Sequence, residues 1–217
     1  MNQTIILSKI NLSIALVWIF HISGILGIIY SNSSWFIAAT PFNLTLSFVL
    51  LIINIEWSKK MIFLVVLCFF TGMISEILGV RYGFIFGDYS YGEALGYKMY
   101  GVPLIIGINW CILVFITGYI SQYFLDSFWG KIFLGISLMI FLDLIIEPVA
   151  PILDFWAFKS GLASFHNYLG WAIVAFPLQF IYHKMKLKIE GTFPFHLFFL
   201  QILFFTIILL KINTTTI

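Results

Sequence analysis

The feature that most constrains this chain is a succession of apolar runs, each about as long as a bilayer is thick. A hydrocarbon core of about 30 Å needs a helix of about 20 residues. Runs of that length fall at residues 10–30, 37–56, 61–80, 102–124, 131–149, 166–183 and 193–212. The connections between them leave no room for a soluble domain. The chain is therefore expected to be all-α: a polytopic integral membrane bundle of about seven transmembrane helices, with residues 1–217 forming a single transmembrane domain. Composition agrees, since 9% of the 217 residues are charged and 62% are hydrophobic, against roughly a quarter charged in a soluble domain.

The first run follows Lys9 and is longer than the apolar core of a signal peptide, so a retained helix is expected. Counted by side, the N-terminus and the connections after the second, fourth and sixth runs hold Lys9, Lys59, Lys60, Lys131, Lys184, Lys186 and Lys188. The other side holds Arg81, Lys98, Lys159 and Lys211. Basic residues gather on the cytoplasmic side of membrane proteins, so a cytoplasmic N-terminus in the cell membrane and an opposite C-terminus are expected. The net charge of +2 then reports topology, and nucleic acid is not an expected partner. Cys68 and Cys111 fall inside runs without CxxC spacing and read as buried, inert thiols.

Three carboxylates break the pattern. "MIFLDLIIEPVAPILDFW", from Met139 to Trp156, holds Asp143, Glu147 and Asp154 without a Lys or Arg. At 1.5 Å per helical residue, Asp143 and Glu147 lie about 18 and 24 Å from Lys131, and Glu76 about 22 Å from Met61. Alternate runs cross in opposite senses and the third and fifth cross alike, so all three acids sit at one level. Asp143 and Glu147, four residues apart, share a helix face. An ionised carboxylate near the core costs about 2.5–3.5 kcal/mol on insertion scales, so such residues face a cavity or a partner and are functional candidates. The bland alternative is neutralisation: Arg81 lies five residues beyond Glu76, and Pro148 and Pro151 end the fifth helix close to water. One Arg cannot neutralise three acids. Asp154 reads as interfacial.

The connections on this side are dense in Gly and aromatic residues: "GVRYGFIFGDYSYGEALGYKMYGVP" from Gly79 and "FWAFKSGLASFHNYLGW" from Phe155. Tyr and Trp at this level serve as membrane anchors or line a cleft above the acids. The two halves also echo each other, with an acid near a helix end, an aromatic loop, and a helix carrying Asn and Trp. A duplication of the third and fourth runs into the fifth and sixth would leave that pattern.

The motifs "GDYSYG" (Gly87–Gly92), "GVP" (Gly101–Pro103), "NW" (Asn109–Trp110), "DLIIEPVAP" (Asp143–Pro151) and "NYLGW" (Asn167–Trp171) occur in this order. Together they resemble the carotenoid biosynthesis membrane family, which includes hydratases of the acyclic carotenoid end group such as the acyclic carotenoid 1′,2′-hydratase and bisanhydrobacterioruberin hydratase. The resemblance covers about residues 60–185. It implies a cofactor-independent, metal-free hydro-lyase that adds water across a terminal isoprenoid double bond. A lycopene- or γ-carotene-type carotenoid is the implied substrate, with the lipid bilayer and other carotenoid biosynthesis enzymes as partners.

The residues suit that chemistry. Hydrating a trisubstituted alkene passes through a tertiary carbocation and needs a strong proton donor. A carboxyl group raised in pKa by desolvation and a neighbouring carboxylate supplies one. Glu147 is the expected donor, with Asp143 and Glu76 positioning water and stabilising the cation. Tyr89, Tyr91, Trp110, Trp156 and Trp171 are expected to line the cleft, with Asp154 at its rim, and Asn109 and Asn167 to orient the water.

Other readings fit less well. A proton-coupled transporter would show polar residues through both leaflets, where His21 and Ser23 are nearly alone, and a lone His is more often a packed residue. A retinal protein would place a Lys in mid-span, whereas Lys211 ends the last run. A metal oxygenase would show clustered His, but His166, His183 and His196 are scattered. A lycopene-cyclase-like enzyme stays closest, because it too begins by protonating an end-group alkene.

Overall fold

The computed structural model describes residues 3–31 and 33–215. Among these residues there are eight helices: α1 (Gln3–Tyr30), α2 (Ser33–Ala38), α3 (Thr40–Ile53), α4 (Lys59–Tyr82), α5 (Leu104–Phe124), α6 (Phe128–Ile146), α7 (Phe165–Met185) and α8 (Phe193–Thr215). Local chemistry sets several boundaries. Ser58 caps α4 by accepting from the Met61 amide at 3.2 Å, satisfying a donor the first helical turn leaves orphaned. Gly83, at φ 71°, closes the other end in the left-handed region, where glycine is free of the usual Cβ penalty.

Among the described residues, five helices are long and apolar enough to cross a membrane: Leu7–Tyr30, Lys59–Tyr82, Leu104–Phe124, Phe128–Ile146 and Phe193–Ile212. Two of the seven expected spans differ. The run 37–56 breaks at Ala39 and leaves the 14-residue helix α3, because Pro41 lacks the amide hydrogen that a continuous helix would donate to the Ile37 carbonyl and is tolerated only in a helix's first turn. At its other end, the Glu56 and Glu190 amides donate to the carbonyls of Lys188 and Asn54, so the chain leaves the helix to pair with a distant connection. The sixth expected span becomes α7, which has 21 residues but carries His166, Asn167, Gln179, His183 and Lys184 along it.

Helix α5 forms the centre of the bundle and packs against α3, α4, α6, α7 and α8. Trp110, Ile112, Phe115 and Ile116 along it are buried. Ile19, Phe63, Phe70, Phe133 and Ile173 remain exposed on the outer helices, as expected where lipid tails are the solvent. Cys68 and Cys111 are free and buried.

Both aromatic connections fold over the same end of the bundle, where α4 and α6 finish and α5 and α7 begin. Strand β1 (Tyr89–Tyr91) from the first pairs antiparallel with a strand from the second, Trp156–Phe158. The register sets Tyr89 opposite Phe158 and Tyr91 opposite Trp156. The remaining strands, β2 (Lys98–Met99) and β3 (Val102–Pro103), form a hairpin, and Trp156–Phe158 is β4 in chain order. Tyr100 and Gly101 turn that hairpin with φ of 52° and 86°, as a two-residue turn matched to strand twist requires.

Candidate active site

Side chains alternate across a strand. Ser90 of β1 and Ala157 of β4 are accordingly exposed, while Tyr89, Tyr91, Trp156 and Phe158 turn inward over the helix ends. Beneath them lie the three acids. Glu76, near the end of α4, is 5% exposed, and Asp143, near the end of α6, is 4% exposed. The end of α6 at Ile146 leaves Glu147 one residue beyond the helix, at its cap and half-buried.

Each acid has its own donors. Three converge on Glu76: the Tyr89 and Tyr91 hydroxyls both donate to Oε2, the latter at 2.8 Å, and the Trp110 indole donates to Oε1 at 3.1 Å. Burial first, then the charge of Glu76, pushes both phenols up, so they stay protonated as donors. Asp143 accepts from the Asn167 amide at 2.9 Å on Oδ2. Glu147 accepts from the Trp156 indole at 3.1 Å on Oε1, which leaves Oε2 available. Burial is the main force on the Glu147 carboxyl. Donation from Trp156 opposes it, the charge of Glu76 adds to it, and the group is pushed up to about 7.

Among the described residues, no Lys or Arg forms an ion pair with these acids. Arg81 is exposed and lies over the Tyr82 ring at 5.7 Å, so the expected alternative of an Arg81–Glu76 pair does not occur. Lys98 pairs with Glu93 at 2.8 Å and Lys159 with Asp88 at 3.2 Å, both in the covering loops.

The acids share a cavity of about 30 Å³ with Asn109, Asn167, Trp110, Trp156 and Trp171 in its wall. That is room for one or two waters with several polar partners. A second cavity of about 400 Å³ lies alongside, bounded chiefly by aromatic and aliphatic groups of α1, α3 and α8. Ile106, Asn109 and Trp156 belong to both walls, so the small polar chamber and the large apolar one adjoin.

Of the residues singled out from sequence, Glu76, Tyr89, Tyr91, Asn109, Trp110, Asp143, Glu147, Trp156, Asn167 and Trp171 come together here. Asp154 does not. It is exposed, and its Oδ2 accepts from the Glu93 and Ala94 amides at 2.7 and 3.2 Å, so it ties the two loops together from outside. Sequence reasoning also passed over Phe86 and Phe158 in the wall. Alternation from Trp156 was a signal for Phe158. Nothing marked Phe86, whose place depends on the packing of the whole loop.

Two further contacts fit the echo between the halves. Trp110 stacks on Trp171 with ring centroids 4.4 Å apart and planes at 16°, and β1 runs antiparallel to β4. A two-fold relation between helix-loop-helix units would generate both. Small residues make the close packing possible: a Cβ at Gly72 of α4 would collide with the Trp110 indole, and one at Gly170 with the Ile85 carbonyl.

Neither the curated proteins nor the solved structures include one that matches this chain significantly. A family model described as "Carotenoid biosynthesis protein" matches residues 36–216. That match extends on both sides of the stretch that carries the motifs, and the chain belongs to the carotenoid biosynthesis protein family.

Proposed function

We propose that this protein hydrates the terminal double bond of an acyclic carotenoid end group. The observation that carries this reading is the junction of the two cavities. A water-sized chamber ringed by three carboxyl groups shares Ile106, Asn109 and Trp156 with an apolar cavity in the size range of small-molecule sites. A cyclase needs the acid and the apolar cavity but no water, so the polar chamber favours hydration.

In the proposed reaction the end group lies in the large cavity with its double bond at Trp156. Glu147 transfers its proton to the less substituted alkene carbon, forming a C–H bond and leaving a tertiary cation beside it. Its free Oε2 and partial exposure suit a donor that is reloaded from outside. The ionised carboxyl groups and the faces of Trp156 and Trp171 stabilise the cation. Water held between Asp143 and Asn109 attacks the cation through its oxygen, and Asp143 accepts the released proton. The product is a tertiary alcohol, and a proton returned to Glu147 resets the site. Glu76 suits the charge-stabilising role, because both its oxygens already accept hydrogen bonds.

The test is isotopic. Turnover in heavy water is expected to place deuterium on the carbon beside the carbinol, and ¹⁸O-labelled water to deliver its oxygen to the hydroxyl. Oxygen drawn from O₂ would replace this mechanism with a hydroxylation. A product of unchanged mass, in a host making lycopene or γ-carotene, would indicate cyclisation.

The same reading includes seven crossings, with α2 and α3 in series as one and α7 as another beside the five long spans, and a cytoplasmic N-terminus. Reporters fused after Lys188 and after Ile217 are then expected on opposite sides, the first cytoplasmic. Finding both on one side would remove the seventh crossing.

A further inference from the structure

Away from the acids, the large cavity is not wholly apolar. His21 of α1, Asn43 of α3 and Gln201 of α8 all line its wall, along with Phe20, Phe204 and Phe205. His21 is 5% and Gln201 7% exposed. The Gln201 Oε1 and Asn43 Oδ1 atoms are buried without a hydrogen-bond partner. In His21, Nδ1 donates to the Val17 carbonyl at 2.8 Å, so a neutral ring keeps Nε2 as an acceptor. Unpaired buried polar groups cost stability, and two such amide oxygens from separate helices, lining one cavity with the His21 ring, call for a ligand that pairs with them.

We infer that His21, Asn43 and Gln201 form a second subsite that takes a hydroxyl group carried by the isoprenoid whose double bond meets the acids. That the ligand is an isoprenoid rests on the proposed hydration. The polar group follows from the donors and acceptors present. A hydroxyl donates one hydrogen and accepts others, which matches an acceptor nitrogen beside two amides that offer both functions. A phosphate or carboxylate would bring a charge into a wall with no Lys or Arg, at a large desolvation cost. A ketone has no hydrogen for the imidazole, and a plain hydrocarbon leaves both amide oxygens unpaired.

The experiment uses the full chain in lipid nanodiscs and reads binding by quenching of tryptophan fluorescence, since Trp156 lines this cavity. The probes are an acyclic polyene hydrocarbon and its mono-alcohol of equal length. Wild type is expected to bind the alcohol about tenfold more tightly, as one or two net hydrogen bonds allow. Gln201→Met and Asn43→Leu are each expected to remove most of that preference with little change for the hydrocarbon. Thermal stability should hold or rise, because an unpaired amide is gone. Equal binding of both probes by wild type, or variants that weaken both alike, would overturn the subsite and leave water as the partner of these groups. Hydration is scored separately. Discrimination in binding without hydration of either probe would end the proposed reaction and keep the subsite, and hydration without discrimination would do the reverse.

Discussion

Glu147→Gln is expected to lower hydration by about 10²- to 10⁴-fold, the range typical of losing a general acid. Gln keeps the side chain's length and can still accept from the Trp156 indole, now 3.1 Å from Oε1, so the covering loop should hold its place. What it lacks is a proton to give. Wild-type activity should also fall as pH rises through the Glu147 pKa of about 7, because only the protonated carboxyl acts as donor. In Glu147→Gln the residual rate should lose that dependence. The check is rate against pH in membranes with matched protein levels. Near-normal turnover in the variant would transfer the donor role to another carboxyl.

Glu76→Gln is expected to be nearly as damaging, for a different reason. Glu76 accepts from Tyr89, Tyr91 and Trp110 at once, and a glutamine has only one oxygen for those three donors. Its amide nitrogen would face an indole or a phenol that also donates, so the cluster must open. The variant also removes a negative charge near the developing cation, and losing one preorganised electrostatic contact typically costs about 10²- to 10³-fold. The charge of Glu76 helps raise Glu147. Removing it should therefore move the fall in residual activity to lower pH, a shift that simple loosening of the loops would not produce. Tyr91→Phe serves as the control: it deletes one donor but keeps the charge, so it should reduce the rate without moving the limb toward lower pH. A Glu76→Gln limb unchanged in position would remove Glu76 from the electrostatics of the site.

Much of this site was legible in the sequence because helix geometry converts residue number into depth. The rise per residue put Glu76, Asp143 and Glu147 at one level, and the aromatic connections had to cover that end because Glu76 precedes the first of them and Glu147 the second. The roles within the cluster were not legible. The donation of Trp110 to Glu76, 34 residues away, depends on how α4 and α5 rotate about their own axes. Helices that are apolar almost all round show little preference in sequence for a buried face. Asp154 shows the same gap. Spacing placed it beside Trp156, but its backbone at φ 55° turns the carboxylate outward to the Glu93 and Ala94 amides.

The sequence by itself determined that the chain lives in lipid, since unbroken apolar runs of about 20 residues have no other stable solvent. It also determined that the few carboxylates within them gather at one depth. Only the tertiary structure decided that α3 stops short, because its pairing partner at residues 188–190 lies more than 130 residues away in the chain. Tertiary packing likewise decided that α1, α3 and α8, which carry none of the motifs around the acids, close an apolar cavity against the acid chamber. A cavity is the space left between surfaces of separate helices, so its position follows from how those surfaces pack and from no local pattern of residues.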